Sequence, residues 1–474
     1  MKRHQKWGIV FGQAAQQSTS QTEHRIKLQK FRYSTNPLNL FGALSSQSDH
    51  CYLLESAEGP RKLAQYSFIG FSPGKVIKVK KNKYSEFSSS KQTTTETDEP
   101  FAGLRNALTE NYTTYHGFRF VGGLVGYFSY DAVRYLEALP THAEDDLELP
   151  DLEFGVYDDG IVFDHLTGQA YYYWYTRNRL REIERLLEEK KTRTRELIAS
   201  DLAINIPQSR FEGMVRKAKN YIKAGDIFQT VLSKRFECSF EGDLLNFYKT
   251  LREINPSPYM YFLKMRKRAI VGSSPEMLGR VDKRDVETFP IAGTRPIGKT
   301  RREDEALATE LLEDPKERAE HVMLTDLARN DLGKVCEFGS IHVPEFMAVQ
   351  KYSHVQHIVS RVSGKLNPDR DAIDVFKAIF PAGTVSGAPK KRAMEIIEEL
   401  EPYRRGAYAG AIGYFSYNGN ADFAITIRTL IANGNRAYIQ AGAGIVADSV
   451  PRREWFETER KAEALLHALK TRSS

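Results

Sequence analysis

The chain has 474 residues, 41% of them hydrophobic and 27% charged, which is enough apolar material for the cores of two or three soluble domains. Its 68 basic and 61 acidic residues leave a formal charge of +7, without the concentrated stripe expected of a nucleic-acid binder. No apolar run approaches a membrane span, and Cys51, Cys238 and Cys336 lie far apart, which argues against membrane insertion, a cysteine-bound metal and a disulfide scaffold.

The opening stretch, MKRHQKWGIVFGQAAQ, is basic, but its apolar run is too short for a signal-peptide core, so a cytoplasmic protein is expected. Between Lys75 and Lys83, Ile77 and Val79 alternate with Lys78 and Lys80, which predicts a half-exposed strand turning at Asn82. Residues 85–100, rich in Ser and Thr, read as a surface loop. GGLVGYFSYD at 122–131 recurs as AGAIGYFSYN at 409–418, which suggests two similar strands that are neighbours in one sheet. A helical pattern over 178–197, with Leu180, Ile183, Leu186 and Leu187 on one face, is followed by a connector at 201–213. The boundary placed there divides the chain into an N-terminal region, 1–200, and a C-terminal region, 205–474. Strand-like runs such as ADFAITIRTLIA and RAYIQAGAGIV alternate irregularly with helices, which predicts an α+β fold of layered antiparallel β-sheets with flanking helices.

Two acidic pairs carry the strongest chemical signal. In EDPKERAEHVMLTDLARNDLG, Asp314 suits an N-cap and Pro315 the first helical position, which puts Glu317 and Glu320 on one face. Glu454 and Glu457 repeat the device near the C-terminus. Four carboxylates from two helices suit a hard divalent ion such as Mg2+. They equally suit solvated helix faces, with Glu317 in a capping-box position and Glu457 one i,i+4 step from Lys461. PIAGTRP (290–296), FPAGTVSGAPK (380–390) and QAGAGIV (440–446) read as glycine-rich turns whose N–H groups could bind oxyanions. None has phosphate-loop spacing, so a small carboxylate-bearing ligand is expected rather than ATP. Arg428, read as sharing a strand face with Ala424 and Thr426, suits a bidentate grip on a carboxylate or an edge-strand position in water. His357 alternates with Val355 and Val359 and reads as a core histidine that could also move protons. No catalytic triad or nucleophilic cysteine is legible, so the chain is not expected to release ammonia from glutamine itself.

Taken in order, GDIFQTVLSKRF, NPSPYMYFL, SSPEML, PIAGTRPIG, ERAEHVMLTDLARNDLG, FPAGTVSGAPKKRAMEII, YAGAIGYF and QAGAGIVADSVPRREWFETERKA resemble the chorismate-utilising enzymes, and within them the anthranilate synthase component I group. The resemblance runs over nearly the whole chain and is densest from about Gly225 to Ala462. It implies the chorismate-binding enzyme fold and a Mg2+-dependent lyase reaction of chorismate with ammonia, giving anthranilate and pyruvate for tryptophan biosynthesis. It further implies Glu320 and Glu457 as metal ligands supported by Glu317 and Glu454, and Arg428 and Tyr408 on the enolpyruvyl carboxylate. The backbone of Ala441, Gly442, Ala443 and Gly444 would assist there, while Gly293, Thr294 and Thr384 would line the ring site. By the same resemblance Glu276 is the general acid for loss of the ring hydroxyl, and His357 acts in pyruvate elimination.

Two positions bear on the nucleophile. Relatives that make 4-amino-4-deoxychorismate through a lysine at the position of Ala292 attack the ring with that amine, and relatives that activate water place a lysine at the position of Gln229. Alanine and glutamine here imply external ammonia, delivered by a separate glutamine amidotransferase subunit in a hetero-oligomer. Glu55 and Ser56 of LLES, with Pro258, Tyr259 and Met260 of NPSPYM, match the tryptophan site of feedback-inhibited members. The alternatives are the para route, aminodeoxychorismate synthase component I, and a catalytically dead tryptophan-binding protein.

Overall fold

The computed structural model describes residues 25–31, 36–56, 65–88, 91–188, 195–351 and 355–471. Two antiparallel sheets dominate it. The larger, of 13 strands, runs Lys27–Phe31, Gln169–Trp174, Asp159–Asp164, Tyr66–Phe71, His50–Glu55, Tyr259–Met265, Arg268–Ser274, Thr429–Asn433, Arg436–Ile445, Gln229–Glu241 and Ile198–Ala199, with the two-residue strands Ala203–Ile204 and Gly387–Ala388 also paired to Gln229–Glu241. The second, of 12 strands, runs from Ile291–Pro296 through Val355–Lys365, Asp285–Thr288, Met277–Asp282, Ala421–Ile425 and Ala411–Ser416 to Gly123–Phe128 and beyond. The stretch 201–213, expected as a connector, instead holds the short strand Ala203–Ile204 and the start of the helix Gln208–Ala224; both sheets take strands from either side of it, so the two regions of sequence share their hydrogen-bond ladders.

Side chains from both sheets meet in an aromatic layer, where Phe68 lies 5.6 Å from Phe120, and Phe120 4.8 Å from Tyr414, at tilted or edge-on angles. A second core covers the other face of the larger sheet, where Leu465 and Leu469 of the helix Pro451–Lys470 pack with Leu251 of the helix Leu244–Ile254. Cys51, Cys238 and Cys336 are buried free thiols. No helix among the described residues is long and apolar enough to cross a membrane.

The repeated motif proves to be a pair of adjacent strands. Gly123–Phe128 lies antiparallel to Ala411–Ser416, and the matching glycines, Gly126 and Gly413, are register partners. A Cβ on either would run into the backbone of the next strand, at Glu153 and Asp422 respectively, so the recurring glycine records close strand approach. The strand Lys75–Lys80 also forms with Ile77 and Val79 inside, and it turns at Lys81–Asn82.

Four expectations need correction. Much of the polar stretch at 85–100 belongs to an exposed hairpin, Lys83–Ser88 against Gln92–Glu96, because its β-branched threonines favour extended backbone. The helix expected over 178–197 is described only as Leu180–Glu188; residues 189–194 lie outside the described set. Two of the three expected glycine-rich turns are strands: PIAGTRP forms the bulged strand Ile291–Pro296, and residues 440–445 of QAGAGIV end the long strand Arg436–Ile445. DFAITIRTL is not one strand: Ala421–Ile425 belongs to the second sheet and Thr429–Asn433 to the larger one, and the chain crosses between them at 426–428.

Candidate functional site

Crossings between the two sheets hold the central groups. The chain passes from the larger to the second sheet at Pro275–Glu276 and returns at 426–428. The two crossings are laced together: Ser274 Oγ donates to the Ile425 carbonyl at 2.7 Å, Ile425 N–H to the Glu276 carbonyl at 3.0 Å, and Ser273 N–H to the Arg428 carbonyl at 3.1 Å. Arg428 itself is left-handed, with φ 49°, a strained conformation for a long side chain. It therefore does not stand on a strand face as expected, but at the hinge where the strand pattern breaks.

Glu276 is buried, and burial pushes its carboxyl up to about 7, while the nearby Thr384 hydroxyl and the charges of Arg428 and Lys461 pull the other way. His357, also buried, has its Nδ1 2.7 Å from the Gly293 carbonyl and 3.1 Å from Thr294 Oγ1. Donation to the carbonyl fixes the proton on Nδ1 and makes Nε2 the basic nitrogen of the neutral ring. Burial lowers its pKa, the Gly293 hydrogen bond opposes that, and Arg428 lowers it further. Arg428 thus acts electrostatically on both proton-transfer candidates.

The acidic pairs sit at helix starts. Asp314 caps the helix Pro315–Gly333, accepting from Lys316 N–H at 2.9 Å and Glu317 N–H at 3.2 Å. Burial, then repulsion from Glu320 and Asp314, raises the Glu317 carboxyl, with Arg295 3.8 Å away as partial compensation. Gly293 turns beside it with φ 66°, and a Cβ there would lie 2.8 Å from Leu311 and 3.1 Å from the Glu317 carboxylate. Glu320 accepts from Gln229 Nε2 at 3.0 Å, while Gln229 Oε1 is buried without a partner. On the helix Pro451–Lys470, burial chiefly raises the Glu454 carboxyl, with Glu457 adding repulsion and Lys316 of the other helix lowering it. Glu457 pairs with Lys461 at 2.8 Å, as the i,i+4 spacing allowed.

Among the described residues these acids do not converge into a ready cluster of three or more. The donor set nonetheless suits a hard cation: it is all carboxylate and partly buried, and at Glu317 and Glu454 the neighbouring cations offset only part of the burial and like-charge repulsion.

The strand Arg436–Ile445 borders the site with small residues. A Cβ on Gly442 would stand 2.6 Å from the buried Tyr408 hydroxyl, so this glycine leaves space for the phenol. Two groups escaped the sequence reading. Lys461, taken only as a helix partner, donates to the Gly442 carbonyl at 3.0 Å and its charge reaches Glu276. Arg405, fully buried, binds Glu401 and donates to the carbonyls of Val385 and Val231 at 2.7 Å each, bracing the segments that carry Thr384 and Tyr408. No local pattern announced that pair, because the helix Lys390–Leu400 ends before Glu401 and the i,i+4 rule holds only within a helix.

The five residues matched to a tryptophan site adjoin one another. Glu55 is the register partner of Met260, and Ser56 Oγ donates to the Pro258 carbonyl at 2.7 Å. Tyr259 donates to Asp422 at 2.9 Å, whereas Glu55 is buried, accepting from Tyr248 at 2.7 Å with Arg252 3.3 Å away. Residues 57–64, which follow this strand, lie outside the described set.

A family model described as chorismate binding enzyme matches residues 49–467. The chain is 51% identical over 434 residues to anthranilate synthase component 1 of Methanothermobacter thermautotrophicus, covering 91% of this chain and 92% of that one. It is 44% identical over 447 residues to aminodeoxychorismate synthase component 1 of Bacillus subtilis, covering 91% and 94%. Its fold superimposes on the crystal structure of anthranilate synthase component I from Streptococcus pneumoniae with a TM-score of 0.77 at 38% identity, covering 86% of this chain and 93% of that one.

Proposed function

The chain belongs to the chorismate-binding enzyme family, and from that premise we propose that it is the aminase subunit of an anthranilate synthase, converting chorismate and ammonia to anthranilate, pyruvate and water. The observation that carries this reading is the meeting of Glu276, raised to about 7, with Arg428 at the two sheet crossings and Lys461 of the helix Pro451–Lys470, together with His357, bound to Gly293 and Thr294 and under the same Arg428 charge. A substrate with two carboxylates needs two positive partners. Arg428 supplies one, with Tyr408 and the backbone of residues 441–444 beside it. Mg2+, held by Glu320 and Glu457 and supported by Glu317 and Glu454, would supply the other and hold the ring carboxylate.

The chain's own groups account for the proton transfers. As ammonia forms the C–N bond, the ring hydroxyl leaves with the Glu276 proton as water. His357 Nε2 then takes the ring C–H proton as the C–O bond to the enolpyruvyl group breaks and the ring becomes aromatic, and the departing enolpyruvate is protonated at its methylene carbon to give pyruvate. Ala292 carries no amine, so the nitrogen comes from outside the chain, in our reading from a glutamine amidotransferase subunit in a cytoplasmic hetero-oligomer. Tryptophan would bind at Glu55, Ser56, Pro258, Tyr259 and Met260 as the feedback inhibitor.

The 44% identity to an aminodeoxychorismate synthase component 1 supports a second reading, the para route. Incubation with chorismate, ammonium and Mg2+, with and without tryptophan, separates the two. Fluorescent anthranilate that needs both metal and ammonium is the expected product, and a non-aromatic amino product would replace this reading with the para route.

A further inference from the structure

The residues matched to a tryptophan site and the crossing that carries Glu276 share one hairpin. In it Tyr259–Met265 pairs with Arg268–Ser274, and Tyr259 and Met260 are the register partners of Ser274 and Ser273. Ser274 ends its strand two residues before Glu276. Both serines are tied to the returning crossing: Ser273 N–H donates to the Arg428 carbonyl at 3.1 Å, and Ser274 Oγ to the Ile425 carbonyl at 2.7 Å. Ile425 N–H in turn donates to the Glu276 carbonyl at 3.0 Å.

Tyr259 also reaches the second sheet. Its hydroxyl donates to Asp422 at 2.9 Å, and Asp422 lies on the strand Ala421–Ile425. The contacts close a ring. Tyr259 meets Asp422 through its hydroxyl, Asp422 runs to Ile425 along the strand, Ile425 meets the Ser274 hydroxyl, and Ser274 faces Tyr259 across the hairpin. Arg280, buried like Asp422, holds one corner, donating through Nε to Asp422 at 2.8 Å and through Nη2 to the Tyr259 oxygen at 3.3 Å. Burial, then the charge of Asp422, raises the Tyr259 phenol well above its usual range, so it stays a donor at neutral pH. Of the ring's links, the phenol–carboxylate bond is the one that a ligand seated on Tyr259 reaches directly.

We propose that this ring couples the two sites, with the Tyr259 hydroxyl as its latch: tryptophan seated on residues 258–260 opens the Tyr259–Asp422 contact and so displaces the Glu276 crossing. The inference rests on the reading of these residues as the tryptophan site. Coupling needs two states that each ligand distinguishes. In the closed state, which chorismate favours, Tyr259 is bonded to Asp422 as described. In the open state the hairpin keeps its own pairing and carries Ser273 and Ser274 with it. Their bonds to Arg428 and Ile425 then shift, and Glu276 and Arg428 leave their common geometry. By linkage, chorismate weakens tryptophan binding by the factor by which tryptophan weakens chorismate binding. Tyr259 and Ser274 act here as positioning residues, since neither touches the reacting atoms.

The test opens the ring at each end in turn. Tyr259→Phe removes the latch and keeps the apolar wall, whereas Ser274→Ala removes the opposite link and alters none of the five residues matched to the tryptophan site. Calorimetry gives the Kd of tryptophan for wild type and both variants, with and without saturating chorismate and Mg2+. Ammonium is withheld, so that chorismate is not consumed. For wild type, chorismate should raise the Kd of tryptophan by a factor of about 5–150. Both variants should still bind tryptophan alone, with that factor cut roughly fivefold or more. With ammonium added, both should be less inhibited by saturating tryptophan than wild type, each against its own uninhibited rate. The wild-type factor retained in either folded variant overturns the proposal. A folded Tyr259→Phe protein that has lost tryptophan binding also overturns it, because Tyr259 is then a binding contact alone; should that variant fail to fold, Ser274→Ala decides. Wild type that binds tryptophan equally well with and without chorismate overturns it too. Wild type that binds no tryptophan would instead remove the feedback reading itself, before any variant is compared.

Discussion

Replacing Glu276 by Gln should make the protein more stable at alkaline pH while disabling it. The carboxyl is buried, and burial raises it from an ordinary 4.5 to about 7. At 1.36 kcal/mol per pH unit, that difference corresponds to about 3 kcal/mol. Below pH 4.5 the folded and unfolded chains both hold the proton, and the group contributes nothing. Between 4.5 and 7 the unfolded chain gives it up while the folded protein keeps it, so folding becomes less favourable as pH rises. Above 7 the full cost is present. A neutral amide of the same shape carries no such cost. Denaturation of wild type and Glu276→Gln at pH 5 and pH 8.5 should therefore show the variant gaining about 2–3 kcal/mol relative to wild type across that interval. Turnover should fall roughly 10²–10⁴-fold, and kcat/KM of the wild type should decline above about pH 7 as the acid ionises. A stability gap that does not change with pH would refute the assignment of a strained, high-pKa carboxyl, and wild-type turnover would remove Glu276 from the chemistry.

Three further outcomes follow from contacts at the site. Arg405→Met strands Glu401 in the interior and should cost about 3–5 kcal/mol by chemical denaturation, whereas a loss below about 1 kcal/mol would show the pair to be dispensable. Gly442→Ala places a methyl group 2.6 Å from the Tyr408 hydroxyl and 2.9 Å from Val231, so KM for chorismate should rise together with a stability loss of about 1–3 kcal/mol; an unchanged KM would move Tyr408 out of the substrate pocket. Chelation should abolish product formation, and Mg2+ should restore it while Glu320→Gln should not; full activity in chelator would contradict a metal role for the acidic pairs.

The legible part of this protein was whatever depends on local pattern. Asp314 and Pro315 announced their helix because capping and a fixed φ are properties of a few adjacent residues. The glycines at 126 and 413 announced paired strands because close strand approach excludes a side chain. Arg428 was misplaced because apolar alternation continues through 426–428 although the chain changes sheets there, and periodicity does not report which sheet a strand joins. The role of Lys461 was hidden by an adequate local explanation, its pairing with Glu457, while its contact with Gly442 spans two elements distant in sequence. The raised carboxyl of Glu276 was equally out of reach, because desolvation is set by the packing of both crossings. The family motifs supplied the candidate residues, and the fold supplies their surroundings.

The most direct test of the central claim is to count products from a known amount of chorismate, with ammonium and Mg2+ present in excess. The account predicts one pyruvate and one anthranilate for each chorismate consumed, because Glu276 and His357 complete both hydroxyl loss and enolpyruvyl elimination within one site. Chorismate consumed without pyruvate, leaving a non-aromatic amine, would contradict it.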